Sequence, residues 1–181
     1  MCIRDRIWDP HTGQARHTLT GHTSAVWALA VAPDGSWLAS AGNDATVRIW
    51  DPATGQARHT LTGHTSGVAA LTVAPDGSWL ASAGADNTVR IWDPHTGQTR
   101  HTLTGHTNWV QALAVAPDGS WLASASWDAK VRIWEPHTGQ SRHTLTGHTC
   151  EVAAMAVAPD GSWLASAGVD DTVRILSLIH I

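Results

Sequence analysis

The pair Gly21-His22 returns as Gly63-His64, Gly105-His106 and Gly147-His148, each 42 residues after the last. Trp8-Asp9 returns on the same period as Trp50-Asp51 and Trp92-Asp93, and then as Trp134-Glu135. Segments 22–63 and 64–105 differ at seven positions, and segments 64–105 and 106–147 at ten. A chain written this way does not wrap a single irregular core. It stacks one supersecondary unit on copies of itself, each copy covering a face its neighbour leaves open.

Each period holds four short strand signals. In the first full copy these are the apolar stretch Val26 to Val31, then Trp37 to Ala41, then the alternating Thr46 to Trp50, and last the polar Arg58 to Thr62. Ala32-Pro33-Asp34-Gly35, Gly42-Asn43-Asp44 and the stretch from Pro52 to Gln56 place turn formers between them. No segment sustains a helical period. The expected fold is all-β: blades of four antiparallel strands, the polar fourth strand outermost, stacked as in a β-propeller. Counting strands gives one outer strand at 16–20, three complete sets and a three-strand set ending near 175, so four blades.

Composition removes several function classes. The formal charge is −4 and Lys130 is the only lysine, a poor surface for trapping a polyanion, so no nucleic-acid partner is expected. No apolar run approaches the length that spans a bilayer, so no membrane partner is expected either. Cys2 and Cys150 cannot make a disulfide framework, which together with the lack of a signal-peptide pattern places the chain in the reducing cytoplasm as an expectation.

The glycine–histidine and tryptophan–aspartate pairs at this spacing resemble the tryptophan–aspartate (WD) repeat propellers, over residues 7–175. The resemblance implies a hydrogen-bonded set in every blade: the histidine, a second-strand serine, the turn aspartate and the third-strand tryptophan. Here these are His22, Ser40, Asp44 and Trp50; His64, Ser82, Asp86 and Trp92; and His106, Ser124, Asp128 and Trp134. The fourth set has His148, Ser166 and Asp170, but position 176 is leucine. WD-repeat rings hold about seven blades, within the range of about 4–8 for propellers, so the expectation is an open arc, a fragment of a larger propeller whose neighbouring blades are partners. The near-identical repeats also resemble the C-terminal sensor arrays of bacterial signalling NTPases and kinases.

The period breaks at both ends. One back-translation of 1–6 is the reverse complement of one back-translation of 176–181, and both match a transposase adapter used in sequencing libraries. The expected organisation is therefore adapter translation at 1–6 and 176–181 around a repeat segment at 7–175, with repeats at 22–63, 64–105, 106–147 and a partial one at 148–175.

Ser40, His22 and Asp44 are the residue types of a serine hydrolase. The same set recurs in every period, whereas catalysis needs one site, and no G-x-S-x-G elbow exists; a structural network is the better reading and no catalytic residue is assigned. The twelve histidines lack metal-ligand spacing. His17, His59, His101 and His143 read as outer-strand surface residues, and no metal or cofactor is expected. The arginine columns Arg16/Arg58/Arg100/Arg142 and Arg48/Arg90/Arg132/Arg174 read as surface or inter-blade pairs with acidic turn residues, although a basic stripe could also grip phosphates.

The columns where the copies differ carry the remaining information. They are Ala25/Gly67/Trp109/Glu151, Trp27/Ala69/Gln111/Ala153 and Asn43/Ala85/Trp127/Val169. In the resembled family these positions surround the mouth of the channel. Large aromatic anchors dominate protein interfaces, so Trp27, Trp109, Gln111 and Trp127, with Glu151 and Asn43, are the expected contacts for a protein or peptide partner. Drift at unconstrained positions is the competing reading. The expected function is a non-catalytic interaction or ligand-sensing scaffold; the alternative is the sensor segment of a larger signalling NTPase or protein kinase.

Overall fold

A computed structural model describes residues 5–177; the adapter-like residues 1–4 and 178–181 lie outside them. All regular structure among the described residues is β. A two-stranded sheet of β1 (Asp5–Trp8) and β2 (Ala15–Leu19) comes first. Blade 1 comprises β3 (Val26–Val31), β4 (Leu38–Gly42), β5 (Val47–Trp50) and β6 (Ala57–Leu61). Blade 2 comprises β7 (Val68–Val73), β8 (Leu80–Gly84), β9 (Val89–Trp92) and β10 (Thr99–Leu103). Blade 3 comprises β11 (Val110–Val115), β12 (Leu122–Ser126), β13 (Val131–Trp134) and β14 (Ser141–Leu145). The last sheet, blade 4, has three strands, β15 (Val152–Val157), β16 (Trp163–Gly168) and β17 (Val173–Ser177). Every pairing is antiparallel and follows chain order.

Two strands, not one outer strand, precede blade 1. Arg6-Ile7-Trp8 repeats Arg48-Ile49-Trp50 and pairs with β2 through Arg6↔Thr18 and Ile7↔His17. This third-strand signal straddles the expected boundary between adapter translation at 1–6 and the repeat segment from 7. At the other end the ladder continues past 175, with Leu164↔Leu176 and Trp163↔Ser177.

The core lies between blades. Ala39, Ala41, Val47 and Ile49 on one face of blade 1 pack against Val68, Leu80 and Trp92 of blade 2, with Leu71 and Val73 partly buried beside them. The alanines of the second strands let the sheets approach. The branched residues of the third strands fill the remaining space, each fully buried one stabilising by about 1.5–3 kcal/mol. The same packing repeats between blades 2 and 3 and between blades 3 and 4.

Both ends of the stack are open. Ile49 and Ile91 are 0% exposed and Ile133 2%, but their counterpart Ile175 is 70% exposed. At the opposite end Leu29 and Val31 are 61% and 63% exposed, whereas Leu71 and Val73 pack against the preceding blade. The molecule is an open arc of blades.

The outer-strand histidines are not merely surface residues. His17 donates from Nε2 to the Ala53 carbonyl, His59 to that of His95 and His101 to that of His137, each at 3.0 Å. Each thus ties its own sheet to a turn of the next blade. Gly55, at φ 71°, leaves room for the His17 ring, which a Cβ there would meet at 3.0 Å. The link escaped the sequence reading because it joins residues 36 apart on different blades.

Candidate functional site

The implied networks form in all four blades. His22 Nδ1 lies 2.9 Å from Asp44 Oδ2 and His22 Nε2 2.7 Å from Ser40 Oγ, while Trp50 Nε1 donates to the same Oγ at 2.8 Å. Blades 2 and 3 repeat this geometry. The indole can only donate, so the serine oxygen accepts from it and gives its own proton to His Nε2. The imidazole then carries its proton on Nδ1 and donates it to the aspartate. One proton order satisfies every member of the chain.

The electrostatics agree with this order. Burial pushes His106 below the ordinary imidazole value, outweighing the pull of Asp128, which favours the neutral ring. Burial opposes ionisation of Asp86, but the His64 ring, the Thr88 hydroxyl and the Thr65 amide together hold it well below the usual carboxylate range. Ser40, Ser82 and Ser124 are 0% exposed, so no substrate reaches their hydroxyls. In the fourth blade Ser166 bonds His148 at 2.9 Å, but Leu176 offers no indole. A cleft of about 220 Å³ lined by Leu145, His148, Ser166 and Leu176 occupies that region.

The arginine columns divide by role. Arg16, Arg58 and Arg100 pair within their own sheets with Asp9, Asp51 and Asp93 at 2.7–2.8 Å, and Arg142 with Glu135 at 3.2 Å. The Arg100 guanidinium holds Asp93 at about 2. Arg48, Arg90 and Arg132 lie over the network tryptophans at 5.7–5.9 Å from the ring centroids, and Arg132 also donates to the Gly105 carbonyl at 2.8 Å. These are contacts within blades rather than between them. Among the described residues no group of three or more histidine, cysteine or acidic side chains is placed to hold a metal.

The variable columns meet on the face that carries the turns between second and third strands. In every blade the residue before the network aspartate donates its amide to the first variable column: Asn43 to Ala25, Ala85 to Gly67, Trp127 to Trp109 and Val169 to Glu151, at 2.8–2.9 Å. Strand alternation does not group Ala25 with Trp27, because Ala25 precedes β3 and a bulge falls between Val26 and Ala28. The bulge re-aims Trp27 and its equivalents instead.

Trp27, Trp109 and Trp127 form one aromatic row. Ring centroids are 6.0 Å apart for Trp27 and Trp109 and 4.7 Å for Trp109 and Trp127. The row spans from blade 1 to blade 3, and the blade 2 counterparts in the same columns are small: Gly67, Ala69 and Ala85. A Cβ on Gly67 would meet the Trp27 ring at 2.6 Å. The large Trp27 ring is thus matched by the small residue at position 67. Trp27 and Trp127 stay 45% and 40% exposed. Gln111, Trp127, Glu151, Ala153 and Val169 line a cavity of about 280 Å³. Asn43 stands apart from that cavity, exposed and bonded to Ser24 at 3.2 Å.

Stacked antiparallel blades, the three complete ones each locked by a histidine–serine–aspartate–tryptophan network, define the class as a β-propeller repeat protein. The family described as WD domain, G-beta repeat matches residues 13–51, 55–93, 97–135 and 139–177, and the chain belongs to it. Each match contributes an outer strand to one sheet and three inner strands to the next, so adjacent blades are joined covalently. The chain is similar to the nuclear distribution protein PAC1 of Arthroderma benhamiae and of Trichophyton verrucosum, at 46% identity over 43 residues in each case. These matches cover 24% of this chain and 9% of the relative. Repeats of this family mark the chain as a protein-interaction scaffold.

Proposed function

We propose that this arc binds a protein or peptide partner through the face bearing Trp27, Trp109 and Trp127, with Gln111, Glu151 and Asn43 as flanking contacts. The contiguous aromatic row carries the reading. It presents exposed indole surface on a rigid scaffold, so little side-chain entropy is lost when a partner covers it. The scaffold acts in the cytoplasm without chemistry of its own, as residues 7–175 of a longer propeller whose remaining blades cover its open ends. Alanine substitution of Trp109 and of Trp127 in the intact parent protein tests this. A loss of about 2 kcal/mol or more per anchor, roughly 30-fold in affinity, is expected for interface hot spots. Unchanged partner binding with an unchanged melting temperature overturns it.

A further inference from the structure

We propose that the cavity between blades 3 and 4 on this face receives a basic side chain of the partner, its charged head held between the Glu151 carboxylate and the Trp127 ring. The inference rests on the reading that this face binds a protein, and it names the chemistry at one point of it.

The cavity exists because the junctions differ. Between blades 1 and 2 the Trp27 ring sits over Gly67, filling the space a side chain there would need. At the next junction Trp109 lies against Trp27. Between blades 3 and 4 the corresponding residues are Gln111, Glu151, Ala153 and Val169, and about 280 Å³ stays open. Trp127 forms one wall and is 40% exposed.

Charge selects the occupant. Glu151 is half-buried and has no ion pair among the described residues. The chain's only lysine, Lys130, lies in the same turn as Trp127 but does not supply one. An apolar guest would strip water from this carboxylate with nothing in return, and an acidic guest would be repelled. A cation both compensates Glu151 and gains the attraction of the indole face.

The test uses the full chain and ligand-observed NMR, which tolerates self-association of the protein. The probes are the N-acetyl, N-methylamide derivatives of arginine, lysine, norleucine and glutamate. Saturable binding of arginine or lysine, at least threefold tighter than norleucine, is expected, and the two arms show which cation is preferred. Glu151→Gln, which removes the ion pair and leaves the Trp127 ring in place, should weaken the cation about 2–5-fold, the span of one exposed ion pair. Ala153→Trp, which keeps every charge and plugs the space, should abolish binding. Asp34→Ala, in a solvent-exposed turn bonded only to Ser36, should leave probe binding unchanged; the probes report on the cavity alone, so their failure to bind leaves the broader reading of the aromatic row standing. Norleucine binding as well as the cations, no cation binding, or an unaltered affinity in Glu151→Gln overturns it.

Discussion

Asp86→Ala should destabilise the chain far more than Asp34→Ala, although each removes one carboxylate from a turn. Asp86 accepts from His64 Nδ1 at 2.8 Å, Thr65 N at 3.1 Å, Thr88 N at 3.1 Å and Thr88 Oγ1 at 2.8 Å. The His64 side chain is 1% exposed, so its Nδ1–H cannot turn to water once the acceptor is gone. An orphaned buried donor costs about 1–3 kcal/mol, and the lost charge-assisted bonds bring the total to about 2–4 kcal/mol. Asp34 bonds only Ser36, through its amide at 3.0 Å and its hydroxyl at 2.7 Å, in solvent; its loss should stay within about 0.5 kcal/mol. For a chain of this size that separates melting shifts of about 4–16 °C from shifts of about 2 °C or less. The pH dependence has a definite sign. The Asp86 carboxyl is held below its unfolded value of 3.8, so its contribution is complete above that pH and disappears as pH falls through the folded value. The gap between wild type and Asp86→Ala should therefore be constant from pH 7 to 5 and narrow below pH 4. Equal melting shifts for the two variants, or a gap that widens in acid, would refute the network account.

Leu176→Trp should supply the missing indole to Ser166 and fill the cleft of about 220 Å³, raising stability by about 1–3 kcal/mol in thermal melts; no gain would show that the end blade does not hold the network geometry. Ala45 and Ala129 sit at φ 61° and 63°, left-handed conformations that strain a Cβ, so Ala45→Gly should stabilise by about 0.5–1 kcal/mol. The exposed faces at Leu29 and Val31 and at Val173 and Ile175 should drive concentration-dependent association in analytical ultracentrifugation. Ile175→Lys should weaken it, and a monodisperse wild-type monomer would count against exposed blade faces as the cause.

The blades were legible because one pattern was written four times. Alternation in Thr46 to Trp50, the Pro-Asp-Gly turn and the polar outer strand each agreed with the others, and repetition removed the ambiguity a single copy would have left. The networks were legible through family resemblance, since nothing in spacing alone joins His64, Ser82, Asp86 and Trp92. Other features were hidden for physical reasons. The His17 link to the Ala53 carbonyl depends on the distance between neighbouring sheets, which a strand pattern does not contain. Arg48, Arg90 and Arg132 lie over the tryptophan two residues further along the same strand, a contact strand alternation allows but which the expected pairing with acidic turn residues obscured. The bulge at Val26 to Ala28 decides where Trp27 points, and an apolar stretch such as Val26 to Val31 gives no sign of it.

That bulge explains why variation falls where it does. Positions such as Ala41, Val47 and Ile49 face a neighbouring blade and are 0% exposed, so any change must be matched across a packed interface. The bulged column and the turn before each network aspartate lie outside that interface, at the rim of the blades, and can change without disturbing the stack. Yet they are not structurally independent. Trp27 requires the glycine at 67, and Trp127 is hydrogen-bonded through its backbone to Trp109 while their rings lie 4.7 Å apart. A scaffold of near-identical blades thus separates two tasks: invariant faces hold the arc together, and a coupled set of rim residues on adjacent blades gives one face of it a chemical character that no single repeat possesses.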